Sequence, residues 1–390
     1  MSMKLAIIGG KLQGIECAYL AKKAHYTTVV IDRRPDAPAL SLADEPVVLD
    51  MVSNENEAVD ALSDCDAILP ANEDLVTLTA LEGLSHKTGV PLLFDLQAYR
   101  VSSSKLLSNE LLSELNVPTP RPWPVCGYPV VVKPSSLSGS AGVMKASCRQ
   151  ELEEGLERIR ALNDDAVVQE FVEGPSISIE VIGDGHDAVP LVTTEVIIDG
   201  DYDCRMVRCP FSGIDASTEE EFGEWGRGIA RRMSLRGIMD VEAIVQDGLP
   251  RVLEIDARMP SQTPAAVYNA TGVNIVETLV NAVARGKLEK PSPKPGAAIY
   301  EHIVVDGGVM RSCGEGVFAQ VKGPRVRRGL FGSDEMITDY TPGRARWHAT
   351  IICSGVTPAE AWDKRSACIQ RIISSAQISR FECRGEEMGA

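Results

Sequence analysis

Three carboxylates and an arginine stand near position 250 in a pattern that suits a metal-bound phosphate. Val252-Leu253-Glu254-Ile255-Asp256-Ala257-Arg258 reads as a strand, and so does Met239-Asp240-Val241-Glu242-Ala243 upstream of it. Side chains alternate faces along a strand, so Glu254, Asp256 and Arg258 share one face. Asp247-Gly248 is a turn signal between the two stretches. Pairing Glu242 with Glu254 centres the hairpin on Gly248 and predicts a short loop of odd length. Carboxylates so close raise one another's pKa unless a cation joins them. Magnesium takes oxygen ligands from a few carboxylates plus substrate phosphates. Arginine, a planar and permanently charged fork, suits a phosphate oxygen. The patch therefore reads as a magnesium–nucleotide site, with Glu242, Glu254 and Asp256 as the metal ligands. A solvated, salt-bridged hairpin would carry the same charges. The apolar flanks Ile238, Val241, Ile244, Leu253 and Ile255 argue instead for a largely buried sheet, where unpaired acids are costly.

Other segments suit the same chemistry. Lys133-Pro134 ends a strand and leads into Ser135-Ser136-Leu137-Ser138-Gly139-Ser140-Ala141-Gly142. Small residues let backbone N–H groups approach phosphate oxygens, and Lys133 supplies a point charge. No GK[ST] follows, so this is not a Walker A loop. Val168-Gln169-Glu170-Phe171-Val172-Glu173-Gly174 is a strand turning into a linker, and its backbone suits an adenine edge. Glu180, on the next strand, is placed to reach a ribose or a phosphate-bound metal. Each alone is ordinary strand chemistry; their order along the chain carries the argument. Near the start, Gly9-Gly10-Lys11-Leu12-Gln13-Gly14 follows a strand and opens a helix, where an anion can be cradled. With Asp32 ending the second strand, a dinucleotide-binding dehydrogenase comes into view. Lys11, however, stands where that pattern has its middle glycine, and a tight strand-to-helix turn accounts for Gly9 and Gly10.

These residues need elements to position them. The chain's 390 residues suffice for two to four domains with substantial cores. Residues 4–100 alternate strand and helix patterns, which predicts a doubly wound parallel α/β domain. A helix follows at Ser104–Leu115, and the proline-rich run 117–124 marks a crossing into a new domain. Residues 298–390 read as strands plus one helix near Pro358–Ser375, with a frayed end from Arg384. Formal net charge is −16, and no dense Lys/Arg run appears, Arg325-Val326-Arg327-Arg328 being the nearest, so nucleic acid is not an expected partner. No apolar run reaches membrane-spanning length, so no membrane is expected either. Met3–Gly10 reads as a strand and glycine turn rather than a signal peptide. Ten cysteines lack CxxC spacing, which suits reduced thiols and a cytoplasmic setting.

Lysine, small-residue loop, hinge strand, glutamate and then the Glu242/Glu254/Asp256/Arg258 patch follow one another in an order that resembles the ATP-grasp superfamily of carboxylate–amine ligases. The resemblance runs from about Ser104 to Asn274. It implies an α/β ATP-grasp fold preceded by a Rossmann-like doubly wound parallel domain. The implied division is residues 1–100 for that leading domain, 101–185 for a small lid subdomain, and 186–390 for the core with a C-terminal α/β extension. Two lysines hold the ATP phosphates in that superfamily, and Lys105 and Lys133 match their positions. The metal patch there usually reads Glu-x-Asn-x-Arg; here Asp256 replaces Asn, which adds charge without removing a ligand oxygen.

A narrower resemblance exists. Gly9–Gly14, Asn72-Glu73, Phe94-Asp95, Tyr202-Asp203-Cys204, Gly237–Ala243, Glu254–Arg258 and Pro260-Ser261-Gln262-Thr263-Pro264 together look like the ligases of pyrrolysine biosynthesis. That similarity weakens after about residue 300. It implies ATP and magnesium as cofactors, and two small amino acids, 3-methyl-D-ornithine and L-lysine, as substrates. In such a reaction ATP phosphorylates the methylornithine carboxylate, and the lysine ε-amine attacks the acyl phosphate. Arg258 and Lys133 then serve the transferring phosphoryl group. Lys105, Lys133, Ser138, Gly139, Ser140, Gln169, Glu170, Phe171, Val172 and Glu180 are the expected nucleotide contacts. Lys11, Leu12, Gln13 and Glu73 would bind lysine, with cap of the following helix as the plain alternative for Glu73. Glu195, Asp203 and Ser261–Thr263 would line the methylornithine pocket. Another amino-acid pair on the same fold, or a non-catalytic nucleotide-binding protein, remain the alternative readings.

Overall fold

The chain opens with β1 (Lys4–Ile8), α1 (Leu12–Lys23), β2 (Thr27–Asp32), β3 (Glu45–Val48), α2 (Glu55–Ser63), β4 (Ala67–Pro70) and α3 (Leu75–Thr88). The strands form one parallel sheet in the order β3-β2-β1-β4. Leu5, Ala6, Ile7, Val29, Val30, Ile31, Ile68 and Leu69 are all buried, the continuous apolar runs that a parallel strand covered on both faces requires. This is the doubly wound domain that the alternating pattern predicts. The β1–α1 turn depends on Gly9 at φ +122°, where a Cβ would stand 2.3 Å from the Ala71 carbonyl oxygen. Asp32 serves this turn: its Oδ2 accepts the Gly10 N–H at 2.7 Å, and Arg34 pairs with its other oxygen.

The computed structural model describes residues 2–200, 202–376 and 378–382, so the frayed end expected from Arg384 lies outside the described residues. Two compact units emerge: residues 1–94, 194–210 and 259–390 form one, and residues 95–193 and 211–258 the other.

The second unit begins with α4 (Leu96–Ser102) and α5 (Lys105–Glu114), capped by Ser104. β5 (Val130–Pro134), β6 (Met144–Ala146), α6 (Arg149–Ala161) and β7 (Ala166–Glu170) follow. The three strands make an antiparallel sheet, β6-β5-β7, and Leu152 and Ile159 of α6 pack on Val130, Val132 and Ala146. β8 (Ser176–Asp184) and β9 (Ala188–Pro190) come next, and β10 (Thr194–Ile198) and β11 (Cys204–Cys209) belong to the first unit. α7 (Ala216–Met233), β12 (Arg236–Gln246) and β13 (Leu249–Asp256) complete the second. β12 lies antiparallel between β8 and β13. Phe222, Ile229 and Ala230 of α7 cover Ile179, Val181, Met239 and Val241 of this sheet. Apolar residues recurring at helical spacing on α7 thus bury one face of the sheet and leave its other face for the charged row.

The rest of the first unit comprises α8 (Thr263–Thr271), α9 (Ile275–Val283), β14 (Ala297–Asp306), β15 (Val309–Ser312), α10 (Glu315–Phe318), β16 (Arg325–Arg328), β17 (Glu335–Thr338), β18 (Arg346–Gly355), α11 (Pro358–Ser375) and β19 (Arg380–Glu382). Within this unit the sheet runs β10-β11-β14-β18-β17-β16, all antiparallel, with β15 beside β14. Cys368, Ile369 and Ile372 of α11 seal Ile303, Trp347 and Ile351 beneath them. The region expected to hold strands and one helix also contains the short α10.

Candidate active site

The β12–β13 hairpin sets Glu242 opposite Glu254 and Asp240 opposite Asp256. On its other side β12 sets Asp240 opposite Glu180, and Glu242 opposite Ser178. Five carboxylates therefore occupy two neighbouring rows on one face of three strands. The loop differs from the one expected. It is a two-residue turn, Asp247 (φ 53°) and Gly248 (φ 78°), because a β-bulge after Glu242 absorbs the odd residue. Two central residues with positive φ match the tight hairpin turn that follows strand twist. The bulge leaves Leu253 without a partner in the register, and its carbonyl accepts from Lys133 Nζ at 3.2 Å.

The charges of this face are unevenly held. Lys105 Nζ lies 3.0 Å from Glu254 Oε2 and Arg258 lies 2.7 Å from Asp256. Burial works against the Glu254 carboxylate, but Lys133 and Lys105 outweigh it and hold its pKa below the usual range. Glu242 has the opposite balance: burial, then Glu254, push it up to about 7. Asp240, 4% exposed, is raised well above the usual range by burial, then by Glu242 and Asp256. Its Oδ1 is buried with no hydrogen-bond partner. Such a donor set, all oxygen and short of positive charge, fits a hard divalent cation. Among the described residues no three acidic side chains are already gathered as a metal cage; Glu254 and Asp256 reach the protein's own cations instead. The sequence reading passed over Asp240, although it sits two residues from Glu242 on the same strand face.

Lys133 is 6% exposed, and burial lowers its pKa. Lys105, the first residue of α5, also donates to the Leu137 carbonyl at 2.7 Å. It therefore ties the small-residue loop to the carboxylate patch. In that loop Gly139 (φ 59°), Ser140 (φ 57°) and Gly142 (φ 75°) all take left-handed conformations. Gly139 and Ser140 are the centre of a tight turn closed by the Ala141 N–H donating to the Ser138 carbonyl at 3.3 Å. In the hinge, Gln169 and Val172 are buried. The Glu170 side chain is engaged by Arg121 at 2.6 and 2.9 Å, and the Phe171 N–H donates to the Pro129 carbonyl. Lys145 lies over the Phe171 ring at 3.7 Å. Glu180, on the same face opposite Asp240, is fully buried.

The residues expected to bind amino acids lie in the first unit. Gln13 Nε2 donates to Glu73 Oε1 at 3.1 Å. Asp74, not Glu73, caps α3 by accepting from the Thr77 N–H, so the capping alternative for Glu73 falls. Lys11 is exposed at the start of α1, whereas the Leu12 side chain is buried in the core. Glu195 faces Arg208 at 3.5 Å across β10–β11. Asp203 instead accepts the Gly316 N–H at 2.9 Å, and Ser261 donates to Glu315 at 2.9 Å. Asp203, Ser261 and Gln262 thus gather around the start of α10, while Glu195 belongs to a separate pair. Glu315 carried no signal in the sequence, because its neighbours in space are more than fifty residues away along the chain.

Comparison with known proteins places this geometry. Residues 102–262 match the ATP-grasp domain family, and residues 5–93 match the PylC-like N-terminal domain. The 3-methyl-D-ornithine–L-lysine ligase of Methanosarcina mazei is 39% identical over 317 residues, which span 81% of this chain and 82% of the relative. That of Methanosarcina acetivorans is also 39% identical, over 81% of this chain and 84% of its own length. Among solved structures, the biotin carboxylase domain of Hydrogenobacter thermophilus 2-oxoglutarate carboxylase, in complex with MgADP, ADP and bicarbonate, shares a TM-score of 0.73 at 18% identity, covering 95% of this chain and 90% of that one. The ADP complex of the N5-carboxyaminoimidazole ribonucleotide synthetase PurK has a TM-score of 0.71 at 16% identity, covering 96% and 98%. These two likenesses describe the fold. No helix among the described residues is long and apolar enough to cross a membrane.

Proposed function

The chain belongs to the 3-methyl-D-ornithine–L-lysine ligase family of ATP-grasp enzymes, and from that premise we propose that it joins 3-methyl-D-ornithine to the ε-amine of L-lysine at the expense of ATP. ATP gives its γ-phosphoryl group to the methylornithine carboxylate. The lysine ε-amine attacks the acyl phosphate carbon, the C–O bond to phosphate breaks, and the amide, ADP and phosphate leave. The observation that carries this reading is the pairing of two lysines with a carboxylate-rich strand face: Lys105 on Glu254, and Lys133 on the bulged Leu253 carbonyl.

Each side chain has a task set by its surroundings. Lys105 and Lys133 neutralise the phosphates and give up their present contacts when nucleotide enters. Ser138, Gly139 and Ser140 present backbone N–H groups to the phosphates, and the 169–172 hinge borders the adenine. Glu242, Glu254 and Asp256 would hold magnesium, which would supply positive charge against the phosphates. Arg258, paired with Asp256, would steady the transferring phosphoryl group. Glu73 with Gln13 grips the lysine α-ammonium, leaving the ε-amine free to attack. The experiment is phosphate release from ATP measured with each amino acid alone and with both. Release that requires both supports the reading, and release that ignores lysine rejects it.

A further inference from the structure

Arg121 lies in the proline-rich run 117–124, to which the function above gives no task. It grips Glu170, the last residue of β7. Arg121 Nε and Nη2 donate to the two Glu170 carboxylate oxygens at 2.9 and 2.6 Å, and the Arg121 backbone N–H donates to Oε2 at 3.3 Å. In return, the Glu170 N–H donates to the Arg121 carbonyl at 2.8 Å. Such a fork fixes direction as well as distance, which a lysine does not do. The Arg121 bonds hold the Glu170 carboxyl below its usual range, although burial opposes them. The Arg121 side chain is 59% exposed, and an exposed pair adds little to stability. Its geometry therefore matters more for orientation.

The segment around Arg121 continues this grip. The Trp123 N–H donates to the Val168 carbonyl at 3.1 Å, and Pro122 stands opposite Gln169. β5 pairs with β7 with Val130 opposite Glu170, and the Phe171 N–H donates to the Pro129 carbonyl at 3.1 Å. The strand entering the hinge is thus held by both neighbours up to Phe171. The next N–H, that of Val172, has no hydrogen-bond partner among the described residues, although Val172 is 4% exposed. Buried backbone donors are seldom left so, and at a ligand site the missing acceptor belongs to the ligand.

We propose that Arg121 is a positioning residue for the nucleotide base: through Glu170 it fixes the hinge backbone so that the Val172 N–H meets the adenine. This rests on the function proposed above and adds to it a residue that does not itself touch the nucleotide. It also narrows the part of Glu170, whose side chain serves Arg121 and leaves only its backbone for the base.

The test is calorimetric titration of Arg121→Ala, in the full chain, with ADP, adenosine and pyrophosphate in turn. Affinity for ADP and for adenosine should fall about threefold to tenfold, the scale of one hydrogen bond, while affinity for pyrophosphate, which reads only the phosphate side, stays within about twofold. In steady-state kinetics the KM for ATP should rise by the same factor, with kcat and the KM values of both amino acids within about twofold of the parent. Glu170→Ala should reproduce the loss, and the double variant should be no weaker than either single one, because the two side chains act as a unit. Arg121→Lys, which keeps the charge without the fork, should fall between parent and Arg121→Ala. Unchanged ADP affinity in a folded Arg121→Ala overturns the positioning role, and so does an equal loss towards ADP and pyrophosphate. The titrations need no turnover, so they decide this point separately. A parent enzyme that releases no phosphate with both amino acids present overturns the ligase reading instead. Should Arg121→Ala fail to fold, Glu170→Gln decides the matter: a loss confined to ADP and adenosine supports the role, and unchanged affinity overturns it.

Discussion

Lys133 keeps its ammonium in a nearly closed setting, 3.2 Å from the Leu253 carbonyl, while burial pulls its pKa down. A desolvated cation of this kind gains most when a phosphate arrives. Lys133→Met should therefore weaken ATP binding about tenfold to hundredfold, the scale of one charge-assisted contact. Calorimetric titration with ATP and magnesium checks this, and unchanged affinity rejects the phosphate role. Glu254 carries a different burden. It is held ionised by Lys133 and Lys105 and faces Glu242 across the hairpin. Glu254→Gln keeps the shape but offers the metal no charge. Turnover should fall at least about hundredfold, as when one preorganised electrostatic group is removed, with thermal unfolding close to that of the parent. Normal turnover at saturating magnesium would contradict its place in the metal set.

At the level of elements, the period of two along β12 and β13 makes the charged face legible from the amino-acid sequence. Glu242 does meet Glu254. The same rule also points to Asp240, whose functional character lies in its burial, and burial depends on the neighbours it meets across β8 and β13 rather than on the strand itself. The bulge at Leu253 is not legible, because one extra residue in a pair answers to local twist and leaves no compositional mark. Glu315 is hidden for another reason: α10 is four residues long and reaches Ser261 and Gln262 only through the fold of its unit. Another element-level consequence concerns β14. His302 is fully buried, stacked on Phe318 and bonded to Thr350, and burial lowers its pKa to about 3. Between pH 6.5 and about 3 the unfolded chain binds a proton that the folded chain refuses, so this residue costs stability as pH falls through that window. Urea unfolding of His302→Gln at pH 4.5, 5.5 and 7 should give a flatter pH dependence than the parent, by up to about one proton. Parallel slopes would reject a neutral buried histidine.

For the whole molecule, the formal charge of −16 speaks against nucleic acid as a partner and is silent on nucleotide binding. Local cations decide that, and Lys105 and Lys133 supply them within the second unit. The leading parallel domain is legible because buried parallel strands read as unbroken apolar runs. The far end of the chain is less so, since its antiparallel strands and one long helix are common to many folds. The central claim is that this chain forms an amide through an acyl phosphate. Its most direct test is to incubate the enzyme with ATP, magnesium, L-lysine and 3-methyl-D-ornithine labelled with oxygen-18 in the carboxylate, and to weigh every product by mass spectrometry. The expected result is one amide of the two amino acids for each ADP released, with one labelled oxygen carried into the phosphate. AMP and pyrophosphate as products, or phosphate without label, would contradict it.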